Sequence, residues 1–106
     1  MKPARLTPSA KADLSDQAVH YAVKGGVALG EGWVREALAA LRIVGLQPTI
    51  GSPRWAAAGP EPGLRAWRPK RLPAAWFCFE RADHLDAVRL LGDRQDIAAI
   101  FAAGPE

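Results

Sequence analysis

The sequence predicts an α+β fold: an N-terminal strand, a helical hairpin, a three-stranded antiparallel meander and a short C-terminal helix. Three observations carry that prediction. Apolar residues between Ala10 and Val44 recur at steps of three and four, the repeat of one helix face. From Leu64 to Leu91 the repeat changes to two, as in strands. A segment rich in proline and glycine separates the two halves.

Residues 2–6 read as a short strand. Thr7-Pro8 then starts a helix, with Thr7 as N-cap and Pro8 at the first helical position, where its missing N–H costs nothing. Ala10, Leu14, Ala18 and Tyr21 form one stripe, and Gly25-Gly26 ends it. A second helix is expected to start softly, because Gly30 and Gly32 lower its propensity. Its stripe is Val34, Leu38 and Leu41, widened by Trp33, Ala37, Ala40 and Val44, with Gly45 as C-cap and Pro48 forbidding continuation. Residues 46–63 hold Pro48, Pro53, Pro60 and Pro62 with Gly51, Gly59 and Gly63, and read as a long loop. Strands are expected over 64–68, 75–81 and 85–91, the last two joined by a turn at Ala82-Asp83-His84. Asp93 is the expected cap of a final helix carrying Ile97, Ile100 and Phe101 on one side. Short turns between sequential strands make a meander, and the hairpin should cover one of its faces.

The 106 residues suffice for one domain, 1–106. Hydrophobic residues at 49% can build a core, and charged residues at 24% are typical of globular chains. So short a chain buries a modest share of its surface, so a partner covering apolar area would stabilise it. There are 14 Lys plus Arg against 11 Asp plus Glu, and lysine occurs only at Lys2, Lys11, Lys24 and Lys70. Arginine's planar fork suits carboxylates and phosphates, so an acidic protein or a nucleic acid is a sensible partner. The net charge of +3 is too small to demand nucleic acid, and no sequence-specific nucleic-acid binding is expected.

Cys78 is the only cysteine, which excludes an internal disulfide and a cysteine-based zinc site; within Trp76–Phe79 a buried, inert thiol is expected. Met1-Lys2-Pro3-Ala4-Arg5 leads into no apolar run, so no signal peptide is read and a cytoplasmic location without membrane contact is expected. His20 and His84 lie far apart, on elements that need not meet. Ser9, Ser15 and Ser52 have no His/Asp arrangement beside them. No catalytic residues, metal site or cofactor are therefore expected. What remains is arginine on and after the sheet (Arg65, Arg68, Arg71, Arg81, Arg89, Arg94) together with Trp33, Trp55, Trp67 and Trp76. Such residues pack cores and snorkel at their edges, yet they also make protein-binding hot spots.

Leu6-Thr7-Pro8-Ser9-Ala10-Lys11-Ala12-Asp13-Leu14 resembles the opening of ParE-type toxins of the ParE/RelE toxin–antitoxin superfamily. Gly63-Leu64-Arg65 is similar to the start of that family's second strand, and residues 76–91 to its central hairpin. Arg94-Gln95-Asp96-Ile97 is similar to its closing phrase. Two departures stand out. Gly92-Asp93 takes the place of the His-Gly that many relatives carry, and loop 46–63 is unusually rich in proline.

The resemblance implies a ParE-like toxin that inhibits DNA gyrase by binding, in a hetero-oligomer with an acidic ParD-like antitoxin. It also implies two alternatives: a RelE-like ribosome-dependent mRNA endonuclease, or a non-toxic member that only binds its partner. An endonuclease must move the 2′-hydroxyl proton, and the sequence has no His or Tyr after Leu85 for that task. Under the ParE-like reading, Arg89, Arg94, Asp96 and Arg65 are the candidates for toxicity and target binding. The antitoxin is expected over the hairpin and adjoining sheet face, at Leu14, Tyr21, Trp33, Leu41 and Trp67.

Overall fold

The computed structural model describes residues 1–59 and 61–103; Pro60 and the last three residues lie outside them. The elements follow the expected order: β1 (Ala4–Leu6), α1 (Pro8–Gly25), α2 (Val27–Leu46), a 3-10 turn (Pro53–Trp55), β2 (Arg65–Trp67), β3 (Ala74–Glu80), β4 (Leu85–Gly92) and α3 (Ile97–Ala102). The fold is α+β.

β1 is shorter than residues 2–6 because the Lys2 N–H is spent on the end of α2, donating to Gly45 O at 3.1 Å. Thr7 caps α1, its hydroxyl accepting from Ala10 N at 3.1 Å. One residue then turns the chain: Gly25 is still helical, and Gly26 takes φ 99°, a conformation that favours glycine. α2 begins at once, well before Gly30, so the soft start does not occur. Gly30 serves packing instead. A Cβ there would sit 2.8 Å from Ala18 O and 2.9 Å from Ala22 Cβ, so the glycine lets α1 and α2 approach closely.

The core face of α2 is also rotated from the expected stripe. Trp33, Ala37, Ala40, Leu41 and Val44 are buried, whereas Leu38 is exposed. Gly45 is not the C-cap: the helix runs to Leu46, and a Cβ on Gly45 would meet Lys2 O at 2.6 Å.

The sheet order is β1-β4-β3-β2, with β2, β3 and β4 antiparallel and β1 parallel to β4. Alternation along β3 splits the core in two. Trp76 and Cys78 face the helical hairpin, and the Trp76 ring N–H donates to Ala37 O at 2.8 Å. Phe77 and Phe79 face the opposite side, where Leu64, Ala75 and Leu91 join them beneath Trp55, Ile97, Ile100 and Phe101. The ladder shifts register between Phe77 and Cys78, which pair with Arg89 and Ala87 and leave Val88 as the extra residue of a bulge.

Asp93 does not cap α3. That role falls to Asp96, whose carboxylate accepts from Ala99 N at 3.0 Å, while Asp93 is drawn to Arg68.

Candidate functional site

β1 pairs with β4 only through residues 85–87, leaving the remainder of that strand edge to be covered by something else. Side chains from the start of α1 do so. The Thr7 hydroxyl donates to Val88 O at 2.9 Å, Asp13 accepts from Leu90 N at 2.9 Å, and the Gln17 amide donates to Leu90 O at 2.8 Å. An uncovered edge would be a template for unwanted pairing, and the helix removes it. The same Asp13 carboxylate takes Arg89 Nε at 2.7 Å and Nη2 at 2.9 Å. Arg89, a candidate for target binding, thus points back to α1 and fastens the hairpin to the sheet. Nothing in the sequence marks Asp13 and Arg89 as partners across 76 positions.

Arg65 is likewise occupied. Its Nη1 donates to Gly51 O at 2.8 Å, while Ser52 and Ala66 exchange backbone bonds of 2.8 and 2.9 Å. Arg81 donates to Glu61 at 2.5 Å and to Asp86 at 3.2 Å, and its guanidinium lies 4.9 Å from the Phe79 ring centre. The long loop is therefore pinned to the sheet.

At the far end of the sheet, Arg68 Nε donates to Asp93 Oδ1 at 3.0 Å, and Nη2 reaches the other oxygen. This pairing raises the Arg68 pKa and holds the Asp93 carboxyl below its usual range. Asp96 is engaged as a helix cap. Arg94 is exposed and, alone of the four candidates for toxicity, makes no hydrogen bond or ion pair among the described residues.

The hairpin residues divide in a similar way. Trp33 and Leu41, expected on a receiving surface, lie inside at 6% and 3% exposure and support that surface from below. Leu14 and Tyr21 are half-buried against the same core, with Tyr21 stacked on Trp33 at 5.6 Å. Trp67 is half-buried opposite Trp76. The apolar surface lies elsewhere on the hairpin: Val19, Val23, Val27 and Leu29 toward its turn, and Leu38, Ile43 and Leu46 along α2. Leu38 and Arg42 also line a cleft of about 260 Å³ against Met1 and Pro3. The sequence period located the helices, but the rotation of α2 decided which apolar residues face outward.

Burial pushes the Cys78 thiol up to about 12, with Asp86 adding to the effect, so it is a poor nucleophile. His84 contacts Asp83 at 2.6 Å in the β3–β4 turn, and His20 packs on Tyr21 in α1, so the two histidines do not meet. Among the described residues no group of three or more His, Cys, Asp or Glu could hold a metal ion, and no helix is long and apolar enough to cross a membrane.

No protein-family model and no curated relative matches the sequence. A solved structure does match in three dimensions: a chain described as "Chromosomal ParDE TA system from P. aeruginosa". The TM-score is 0.72 at 21% identity, over 87% of this chain and 96% of that one. The protein therefore shares the α+β fold of that chain.

Proposed function

We propose that this protein is the toxin half of a toxin–antitoxin pair, ParE-like, which acts in the cytoplasm by binding DNA gyrase and carries out no catalytic step. The observation that carries the reading is the fold shared with the ParDE chain along nearly the whole of both molecules. The surface supports it. Large apolar side chains stand exposed on the hairpin of a small basic domain, which suits an acidic, ParD-like antitoxin that folds across it. Neither histidine nor the single tyrosine lies on the sheet, which favours binding over RNA cleavage.

Two experiments test the reading. Induction of the protein alone should arrest bacterial growth, and co-expression of the neighbouring antitoxin gene should restore it. The purified protein should block supercoiling by gyrase and leave ribosome-bound mRNA intact. Normal growth at confirmed soluble expression would sink the toxin reading. Site-specific mRNA cleavage would replace gyrase binding with a RelE-like activity.

A further inference from the structure

We propose that residues 47–59, the part of the loop that follows α2, are a second target-contact surface, in which Arg54 and Trp55 form a preset anchor for an acidic protein surface. The inference rests on the toxin reading above and gives it a second point of contact.

The loop is long, yet it is held. Arg65 ties it at Gly51, the Ser52–Ala66 bridge at its middle, and the Arg81–Glu61 pair near its end. Gly51 is buried where a Cβ would press on Ala66 O at 3.0 Å, so the backbone lies close against β2. A loop fixed in this way loses little conformational entropy on binding.

Arg54 and Trp55 stand on the 3-10 turn at its centre. The Arg54 guanidinium sits 5.1 Å from the Trp55 ring centre, which orients it without neutralising it. Arg54 is exposed and has no ion pair among the described residues, unlike Arg81 and Arg89. Trp55 is half-buried against the cluster that holds Phe77 and Phe79, so part of its indole is packed and part remains as an apolar face. An oriented arginine without a counter-ion beside a partly packed tryptophan is the composition of a protein-binding hot spot, and its chemical complement is a carboxylate.

Location separates this surface from the antitoxin's. The loop covers the sheet face opposite the hairpin, packing on the same cluster as α3, whose N-terminal approach carries Arg94. Arg54, Trp55 and Arg94 can thus serve one partner while the antitoxin holds the other side.

The test uses the full chain with Arg54→Glu and Arg54→Lys, and Lys11→Glu as a charge control on the exposed side of α1. Growth arrest, inhibition of gyrase supercoiling, thermal melting and rescue by the antitoxin are read for each. Arg54→Glu should poison about tenfold less or weaker still, melt as wild type and remain bound by the antitoxin. Arg54→Lys should fall between, and Lys11→Glu should poison as wild type. An Arg54→Glu protein as toxic as wild type overturns the proposal and leaves the toxin reading standing. An equal loss in Lys11→Glu overturns it in favour of bulk charge. A harmless wild-type protein overturns both readings together. Titration with duplex DNA alone, followed by tryptophan fluorescence, covers the remaining occupant. Binding that Arg54→Glu abolishes would assign the surface to nucleic acid and overturn the acidic-protein proposal.

Discussion

One carboxylate joins the two halves of this protein: Asp13 of α1 accepts both Nε and Nη2 of Arg89 in β4, at 2.7 and 2.9 Å, and the Leu90 N–H at 2.9 Å. Asp13 is 11% exposed and Arg89 27%, so the pair is screened less than a surface bridge. Arg89 therefore belongs first to the architecture, and its effect on poisoning has to be separated from its effect on folding.

Asp13→Ala should destabilise the domain by about 2–3 kcal/mol, since it removes charge-assisted bonds and leaves a backbone N–H in need of an acceptor. Arg89→Ala should cost less, because Leu90 keeps its partner. Urea unfolding of both variants and of the double variant would measure the coupling. Strict additivity would show that the pair contributes nothing beyond its separate parts.

Arg94→Ala should melt like the wild type and bind antitoxin normally, since Arg94 makes no ion pair among the described residues. Under the proposed function its poisoning should fall markedly, as truncating one side of a partner contact costs about 2–5 kcal/mol when that contact is desolvated. A variant that melts normally and kills as before would move the target surface away from the start of α3.

Leu41→Ala should cost roughly 2–5 kcal/mol of stability, as it deletes a side chain only 3% exposed under α2. A domain of this size has little stability to lose. Bound antitoxin should restore its melting temperature by mass action. A melting curve close to wild type in the free protein would contradict the packing described for α2.

Two glycines of α2 should respond in opposite directions. Gly30→Ala forces a Cβ to within 2.8 Å of Ala18 O and should destabilise by about 1–3 kcal/mol. A Cβ on Gly32 meets only Arg35 Nη2 at 3.8 Å, so Gly32→Ala should stabilise by roughly 0.5–1 kcal/mol through helix propensity. Denaturation midpoints for the two variants that shift the same way would refute this assignment.

Cys78 offers a titration. Its pKa rises from 9.0 to about 12 in the folded chain through burial. Between those values the unfolded chain releases a proton that the folded chain retains, so stability should fall as pH rises above 9.0. The limiting slope is about 1.4 kcal/mol per pH unit. At pH 8 a thiol reagent should label Cys78 only after denaturant is added, and rapid labelling of the native protein would show that the β3 core is open.

The sequence alone determined the element order, the Thr7 cap, the break at Gly25-Gly26, the meander and the apolar side of α3. Each depends on local chemistry: side-chain period, capping hydroxyls and the backbone freedom of glycine. Only the tertiary structure decided the rest. Gly30 read as a weak point in a helix because propensity is local, while its role depends on Ala18 and Ala22 of the other helix. Leu38 read as core because periodicity gives the width of a stripe more reliably than its centre, and packing against Trp76 and Ala87 set the rotation of α2. Arg65, Arg89 and Asp96 read as equivalent to Arg94, since a charged side chain carries no sign in sequence of what it will meet. Loop closure brought Gly51 to Arg65 and the hairpin brought Asp13 to Arg89, whereas Arg94, at the approach to α3, stays exposed.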